Sequence, residues 1–113
     1  MKKFSTQVHK GKANYSDLAK LIRTALPHQG AIEVQRDVPG KEHTWHHHQV
    51  DETIIVIEGA LRFYWQEGER VCFPGDVISL PAGSLHGSEA LDKGAIYVIA
   101  FHAVDLAPLA RAA

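Results

Sequence analysis

Only one cysteine, Cys72, occurs among the 113 residues. A single thiol excludes a disulfide within the chain, and proteins that lack disulfides are typical of reducing compartments. The basic beginning of the sequence is not followed by the apolar run of a secretory signal. We therefore expect a cytoplasmic protein.

Long apolar segments and runs of basic residues are also missing. No stretch approaches the roughly 18 to 20 apolar residues that span a bilayer. Twelve basic and thirteen acidic residues nearly balance, so the charge pattern that marks nucleic-acid binding is absent. With 45% hydrophobic residues, the chain has the composition of a small globular domain. We therefore expect neither a nucleic acid nor a membrane as a partner.

Helical periodicity is confined to one segment, 14–27. Asn14 or Ser16 can cap its start, and Pro27 ends it. Apolar residues recur there at helical spacing, at Leu18, Leu21, Ile22, Ala25 and Leu26. We expect a short helix near 16–26 whose apolar face covers the outside of a sheet.

The remainder, from 31 to 102, is typical of short strands separated by turn signals. About seven or eight strands are expected, with Gly59 and the segment 92–94 among the turns. Such spacing predicts an all-β antiparallel sandwich or barrel. We expect a single domain of residues 1–113, with an arm or edge strand at 1–13 and a tail at 103–113.

Four of the eight histidines lie between Gly40 and Gly59. In a strand, His46 and His48 would project from one face with Cα atoms roughly 6 to 7 Å apart, close enough to bind one ion. Glu52 follows four residues later and could complete an open site for a divalent metal. An exposed polar strand is the alternative explanation of a His-x-His pair.

A further ligand is offered by His86, which follows the turn Pro81-Ala82-Gly83. Proline and glycine fix the direction of the chain after such a turn. In an antiparallel barrel, the strand that starts there can lie beside the histidine-rich segment. His86 would then point at the same ion as His46 and His48.

The histidine-rich segment resembles the first motif of the cupin superfamily. That motif consists of Gly, five residues, His-x-His, three or four residues, Glu, six residues and Gly. Every gap is met here, by Gly40, His46, His48, Glu52 and Gly59.

The second cupin motif is matched farther along the chain. It consists of Gly, five residues, Pro-x-Gly, two residues, His, three residues and Asn. The positions are met by Gly75, Pro81, Gly83 and His86, with Ala90 where Asn is usual. Because that Asn is not a ligand position in the family, Ala90 leaves the metal site intact and puts only a local hydrogen bond in doubt.

The resemblance implies a cupin-type double-stranded β-helix, that is, a jelly-roll barrel with its core at about 31–102. It also implies one divalent transition metal ion, which ligand chemistry leaves open among iron, manganese, nickel, copper and zinc. Small cupins of this kind are commonly homodimers, which we also expect here. The implied metal ligands are His46, His48, Glu52 and His86.

Three strand residues are candidates for contacting a substrate. Arg62, Tyr64 and Tyr97 can present polar groups to the barrel interior, where an arginine would suit a carboxylate. In the alternative arrangement Arg62 and Tyr64 face solvent, while the alternating Leu61, Phe63 and Trp65 pack inside.

Two further histidines flank the predicted ligands. His47 should face away by strand alternation. His43 lies close enough to reach the mouth of a pocket, although solvent exposure is the simpler expectation.

The resemblance covers dioxygenases, isomerases, lyases and decarboxylases. A metal-dependent enzyme acting on a small organic molecule is the first hypothesis, with a quercetinase-like dioxygenase as the first choice. The second hypothesis is a non-enzymatic module that binds a sugar or a small effector. In the third, the metal only stiffens a structural or storage protein.

Overall fold

The computed structural model describes residues 4–110, so residues 1–3 of the predicted arm and 111–113 of the predicted tail lie outside the described part. The expectation of an all-β chain with one short helix is confirmed. The elements in this part are β1 Gln7–His9, α1 Leu18–Ala25, β2 Ile32–Asp37, β3 Glu42–His46, β4 Glu52–Trp65, β5 Gly68–Cys72, β6 Val77–Leu80, β7 His86–Ala100 and a 3-10 turn at Ala107–Leu109.

Two long antiparallel strands, β4 and β7, organise the barrel. Their pairing changes register between Val56 and Glu58 and again between Gly59 and Leu61. Before these breaks β4 also pairs with β6, and after them it pairs with β5. Strands β2 and β3 pair with opposite ends of β7. The result is a jelly-roll barrel, as the sequence predicted.

Gly59 and Gly94 do not turn the chain, contrary to the sequence-based expectation. Both have positive φ angles, 74° and 72°, and both lie inside the long strands. A Cβ on Gly59 would come within 2.1 Å of the carbonyl oxygen of Gly94. The two glycines therefore permit a close approach at the irregularity of β4 and β7, and the strands continue through it.

The inside of the barrel is filled mainly by residues that alternate along β4 and β7. Burial of each large aliphatic or aromatic side chain stabilises the fold by about 1.5–3 kcal/mol. The members are Ile54, Val56, Leu61, Phe63, Cys72, Ile78, Leu80, Ala90, Ala95 and Tyr97. Cys72 is thus a packed core residue, and its burial raises the pKa of its thiol to about 11.

Helix α1 covers the outer face of the sheet, as predicted. Its residues Leu21 and Ala25 are buried with Ile55 of β4 and Val98 of β7. The helix starts later than expected, because its cap is Asp17, whose Oδ1 accepts a hydrogen bond from the backbone N–H of Lys20 at 3.2 Å. Neither Asn14 nor Ser16 has that role.

The N-terminal segment includes an edge strand, which was one of its two predicted forms. Strand β1 pairs with β6, with Val8 opposite Ile78. Just beyond it, the Lys10 ammonium group forms an ion pair with the buried Asp76. The backbone N–H of Gly11 donates to the same carboxylate at 2.6 Å. Asp76 thereby fixes the end of the arm against the barrel.

Candidate metal centre

Two of the predicted ligands, His46 and His86, lie opposite each other on paired strands. His46 is the last residue of β3 and lies opposite His86, the first residue of β7. Their ring centroids are 4.4 Å apart. Behind them, the buried ring of Phe63 stacks on His86 at 5.7 Å. The antiparallel pairing of β3 with β7 therefore brings the two motifs together.

His48 also lies beside His46 and His86, but the strand alternation predicted from the sequence does not position it. Strand β3 ends at His46, so strand alternation does not orient His48. Instead, the His48 carbonyl accepts a hydrogen bond from the backbone N–H of Gly83 at 2.8 Å. The Pro81-Ala82-Gly83 turn thus holds the loop that carries His48 as well as directing His86.

One ligand nitrogen from each of His46, His48 and His86 lies within 4.8 Å of the other two. This span is comparable with twice the metal–nitrogen distance of about 2.1 Å in protein sites. The Nδ1–H of His46 donates to the Thr44 carbonyl at 2.6 Å, and that of His86 donates to the Ser84 carbonyl at 2.8 Å. Both rings therefore present the Nε2 lone pair, as metal-bound histidines do.

Glu52 lies beside this group and is almost fully buried, with 4% of its surface exposed. One of its carboxylate oxygens is 3.6 Å from His48 Nε2 and 3.9 Å from His86 Nε2. Among the described residues, no hydrogen bond to the carboxylate is found. Burial, reinforced by the negative charge of Glu33, raises the pKa of Glu52 to about 7.

Two of the three imidazoles, those of His48 and His86, are kept neutral by their surroundings. Burial lowers the pKa of His86 to about 4, and burial together with the charges of neighbouring histidines lowers the pKa of His48. A neutral imidazole has the lone pair that a metal requires. Three imidazoles and a buried carboxylate form a donor set that fits a divalent transition metal.

A cavity of about 100 Å³ begins at this group and extends into the barrel. Two predicted ligands, His46 and His86, form part of its wall. The other lining residues are partly polar and partly apolar. Its lining residues are Gln35, His43, His46, Ile54, Leu61, Phe63, His86, Ser88, Tyr97 and Ile99.

Gln35 and His43 line this cavity and Asp37 lies directly behind them; of the three, the sequence had drawn attention only to His43. Gln35, Asp37 and His43 form hydrogen bonds with one another and with Tyr97. The expectation that His43 is simply exposed to solvent is wrong, because its Nε2 lies 3.1 Å from the buried Asp37 carboxylate. The exposed neighbour His47 lies outside the cavity, as expected.

Of the three predicted substrate-contacting residues, only Tyr97 lines the cavity. Arg62 and Tyr64 point away from it, because Leu61 and Phe63 take the inward positions of β4. This was the alternative arrangement considered from the sequence.

Arg62 and Tyr64 instead line an open groove on the outside of the barrel, beside Trp45. The Arg62 guanidinium group lies 4.9 Å from the Tyr64 ring centroid and pairs with Glu69 and Glu89. Trp45 packs edge-on against Tyr64, with ring centroids 4.8 Å apart. A carboxylate inside the cavity would therefore not meet Arg62.

Residues 33–102 match the family model described as the cupin domain. The match covers more than half of the chain and includes all four predicted ligands. The chain therefore belongs to the cupin family. The resemblance stated from the two motifs is confirmed.

Solved structures show the same fold. A variant of oxalate decarboxylase from Bacillus subtilis is 26% identical, with a TM-score of 0.59 over 65% of this chain and 21% of that chain. A sugar phosphate isomerase of the cupin superfamily from Silicibacter pomeroyi is 30% identical, with a TM-score of 0.54 over 60% of this chain and 46% of that chain. This chain thus spans less than half the length of either protein.

A protein of unknown function from Rhizobium leguminosarum has a more similar length. It is 24% identical, with a TM-score of 0.59 over 64% of this chain and 68% of that chain. At this identity the likeness concerns the fold alone. A comparison with curated protein sequences finds no match. Within residues 4–110, no helix is long and apolar enough to cross a membrane.

Proposed function

We propose that this protein is a metal-dependent enzyme that acts on a small organic molecule. One divalent transition metal ion would be held by His46, His48, Glu52 and His86. The observation that carries the proposal is the convergence of three imidazole nitrogens within 4.8 Å at the end of a lined cavity. Two of these imidazoles are already oriented by backbone carbonyls.

A bound divalent ion would supply Lewis-acid or redox chemistry at a position left open toward the cavity. The chain's own residues would do the rest. Phe63, Ile54 and Ile99 present apolar walls that exclude water from the reacting group, while Gln35 and Tyr97 offer polar contacts. A site that combines apolar walls with a few placed polar groups is typical of small-molecule binding.

Two kinds of reaction are compatible with this donor set. The quercetinase-like dioxygenase expected from the sequence needs a redox-active metal and oxygen. An isomerase, lyase or decarboxylase needs only a Lewis acid and a proton carrier. The names of the two relatives above 25% identity, a decarboxylase and an isomerase, support the second kind.

Metal analysis of protein purified without a histidine tag tests the proposal. About one equivalent of a transition metal is expected per chain in the wild type and in His47→Ala, the matched control. Much less is expected in His48→Ala. A wild type that is purified without metal and binds no transition metal at micromolar concentration would contradict the enzyme hypothesis. Oxygen uptake with phenols or diketones would favour the dioxygenase, whereas turnover without oxygen would favour the other kind.

Absence of turnover with a tightly bound metal would instead favour the second hypothesis, a binding module for a sugar or small effector. The outer groove beside Trp45 and Tyr64 gives this alternative some support, since exposed aromatic rings can contact a sugar. Calorimetric titration with a sugar panel distinguishes the two, because a catalyst would change the compound and a binding module would not.

We also propose that the protein forms a homodimer through the β2 side of the barrel. Strand β2 forms one end of the sheet path, and Val34 is 59% exposed there, followed by Val38 at 64%. An exposed edge with apolar side chains invites pairing with a second copy. Light scattering on the wild type and on Val34→Lys should give a dimer and a monomer, respectively.

A further inference from the structure

A second polar cluster lies at the cavity that His46 and His86 line. Asp37 ends β2 and is 4% exposed. Its carboxylate accepts hydrogen bonds from Tyr97 Oη at 2.7 Å and from Gln35 Nε2 at 3.1 Å. His43 Nε2 lies 3.1 Å from the same carboxylate. We call Gln35, Asp37, His43 and Tyr97 the Asp37 cluster.

The Asp37 carboxylate is ionised in this setting. Burial alone would raise the pKa of Asp37, but hydrogen bonds from Tyr97, Gln35 and His43 bring it below its ordinary value. Burial also raises the pKa of Tyr97 well above its usual range, so the phenol keeps its proton and donates it. The cluster therefore contains one fixed negative charge inside the barrel.

The hydrogen-bond donors of the cluster define the tautomer of His43. Gln35 Nε2 can direct its two hydrogens to Tyr97 Oη at 3.0 Å and to Asp37 Oδ1 at 3.1 Å. Although Gln35 Nε2 also lies 3.1 Å from His43 Nε2, an ionised carboxylate attracts an imidazole N–H more strongly than an amide attracts a lone pair. His43 Nε2 therefore carries the hydrogen and donates it to Asp37.

This tautomer leaves a lone pair on His43 Nδ1. No hydrogen bond to Nδ1 is found among residues 4–110. The side chain is 32% exposed and lines the same cavity as His46 and His86. A carboxylate that orients an imidazole through one nitrogen and leaves the other free is the arrangement of a general base.

We propose that His43 is the catalytic base of this site, positioned by Asp37, and that the reaction is a proton transfer next to a carbonyl group without oxidation. This inference rests on the metal site of the proposed function. The substrate class is small hydroxy-carbonyl and 2-oxo compounds with two neighbouring oxygens for the ion.

The step balances without an added oxidant or reductant. The C–H bond next to the carbonyl breaks, and its proton moves to His43 Nδ1. The electron pair becomes part of a new C=C bond, while the carbonyl π electrons move to the oxygen and give an enolate. Asp37 stabilises the imidazolium that results. Return of the proton to the same carbon completes an exchange. Its return to the neighbouring carbon, together with transfer of the hydroxyl proton of a hydroxy-carbonyl compound to the former carbonyl oxygen, completes an isomerisation.

Size and charge restrict the substrate. A volume of about 100 Å³ is roughly that of three water molecules, so only a few non-hydrogen atoms fit behind the ion. No lysine or arginine is among the described lining residues. An anionic group would therefore be recognised by the ion, and this favours compounds that chelate through adjacent oxygens.

Hydrogen exchange in D₂O tests the base directly. Wild-type protein loaded in turn with zinc and manganese is incubated with pyruvate, hydroxypyruvate, glycolaldehyde and dihydroxyacetone, and deuterium uptake next to the carbonyl is followed by NMR. Uptake is expected for at least one compound. His43→Gln should slow it at least about 100-fold, whereas His47→Gln, an exposed neighbour, should leave it unchanged.

Two outcomes would overturn the inference: no uptake with any of the four compounds although metal is bound, or equal rates in wild type and His43→Gln. Metal content is measured in the same samples. Loss of metal in the wild type counts against the proposed function, whereas a metal-loaded, active wild type whose rate equals that of His43→Gln counts against the base alone.

A second readout does not depend on turnover. In zinc-loaded protein, ¹⁵N NMR should report a protonated Nε2 and an unprotonated Nδ1 for His43, assigned by its loss in His43→Gln. Asp37→Asn should shift this tautomer balance while the zinc content stays the same. A protonated Nδ1 in the wild type would contradict the assignment of His43 as the base.

Discussion

Two almost fully buried carboxylates lie at opposite ends of the pairing between β4 and β6. At one end, Asp76 forms an ion pair with Lys10 and accepts backbone hydrogen bonds from Gly11 at 2.6 Å and Phe73 at 2.7 Å. At the other end, Glu52 has no hydrogen bond among the described residues and lies 3.6 Å from His48.

The pKa directions follow from this difference. Burial would raise the pKa of Asp76, but its hydrogen bonds and the charge of Lys10 lower it. Burial raises the pKa of Glu52 to about 7, and nothing nearby offsets it. A buried charge is normally compensated by a partner. The charge of Asp76 is therefore compensated by groups of the protein itself. Glu52 has no such positive partner, and a bound metal ion would provide one.

The largest expected effect comes from removing an imidazole next to Glu52. His86→Ala should weaken metal binding at least about 1,000-fold, since even residues that only orient ligands contribute 10- to 100-fold. Competition with a chromophoric chelator measures the affinity. Unchanged affinity would remove His86 from the ligand set, and His102→Ala serves as a control because His102 Nε2 instead donates to the Ala25 carbonyl at 2.9 Å.

At the other end, Asp76→Ala should cost stability and leave metal affinity as it was. Three donors lose their acceptor, and we expect the free energy of unfolding to fall by about 3 kcal/mol. Urea denaturation measures it, with Asp92→Ala, an exposed residue of β7, as control. A loss below about 0.5 kcal/mol would mean that Asp76 does not fix the arm.

Glu52→Gln should instead increase the free energy of unfolding of the metal-free protein. The raised pKa means that the folded protein holds its proton more tightly than the unfolded chain. The proton bound to Glu52 therefore stabilises the fold fully below about pH 4.5, and this stabilisation is lost as pH rises through about 7. Metal-free Glu52→Gln should therefore be more stable than wild type by about 1–2 kcal/mol at pH 8, and the gain should vanish at pH 4.

Urea denaturation at the two pH values gives this comparison. Glu58→Gln, an exposed residue of the same strand, should show no such pH-dependent gain. Destabilisation of metal-free Glu52→Gln at pH 8 would show that the ionised carboxylate already has adequate partners. The contrast with Asp76 would then fail.

The smallest effect on stability is expected outside the barrel, where Arg62 forms partly exposed ion pairs with two carboxylates. Arg62→Ala removes the contacts to Glu89 at 3.1 Å and Glu69 at 3.3 Å. Partly exposed ion pairs contribute about 0.2–1 kcal/mol, so the stability should change by no more than this. A calorimetric titration that shows lost substrate affinity would return Arg62 to the site.

Motif spacing in the sequence predicted which residues come together at this end of the barrel. His46 and His86 come together through the antiparallel pairing of β3 with β7, whose register shifts between His43 and His46, and the Pro81-Ala82-Gly83 turn holds the loop that carries His48. Strand alternation, the argument first used for His48, was not the reason. A pattern of residues can therefore identify a group before the local geometry that assembles it is known.

Other features could not be read from the sequence. Glycine adopts positive φ angles both in turns and in strand irregularities, and the sequence does not distinguish the two. Gly59 and Gly94 were therefore predicted to form turns. Strand alternation separates two faces without saying which is inside. Gln35 and Asp37 therefore gave no signal, although they alternate with the apolar residues of β2. His43 became meaningful only beside Asp37.

Anomalous diffraction at a metal absorption edge tests the central claim most directly. Crystals of untagged protein, grown with the metal that co-purifies, should show one strong peak per chain between His46, His48, His86 and Glu52, with metal–ligand distances of about 2.0–2.3 Å. The peak should disappear in crystals of His86→Ala. An ion bound elsewhere, or no ion at this group although the protein is saturated with metal, would contradict the account.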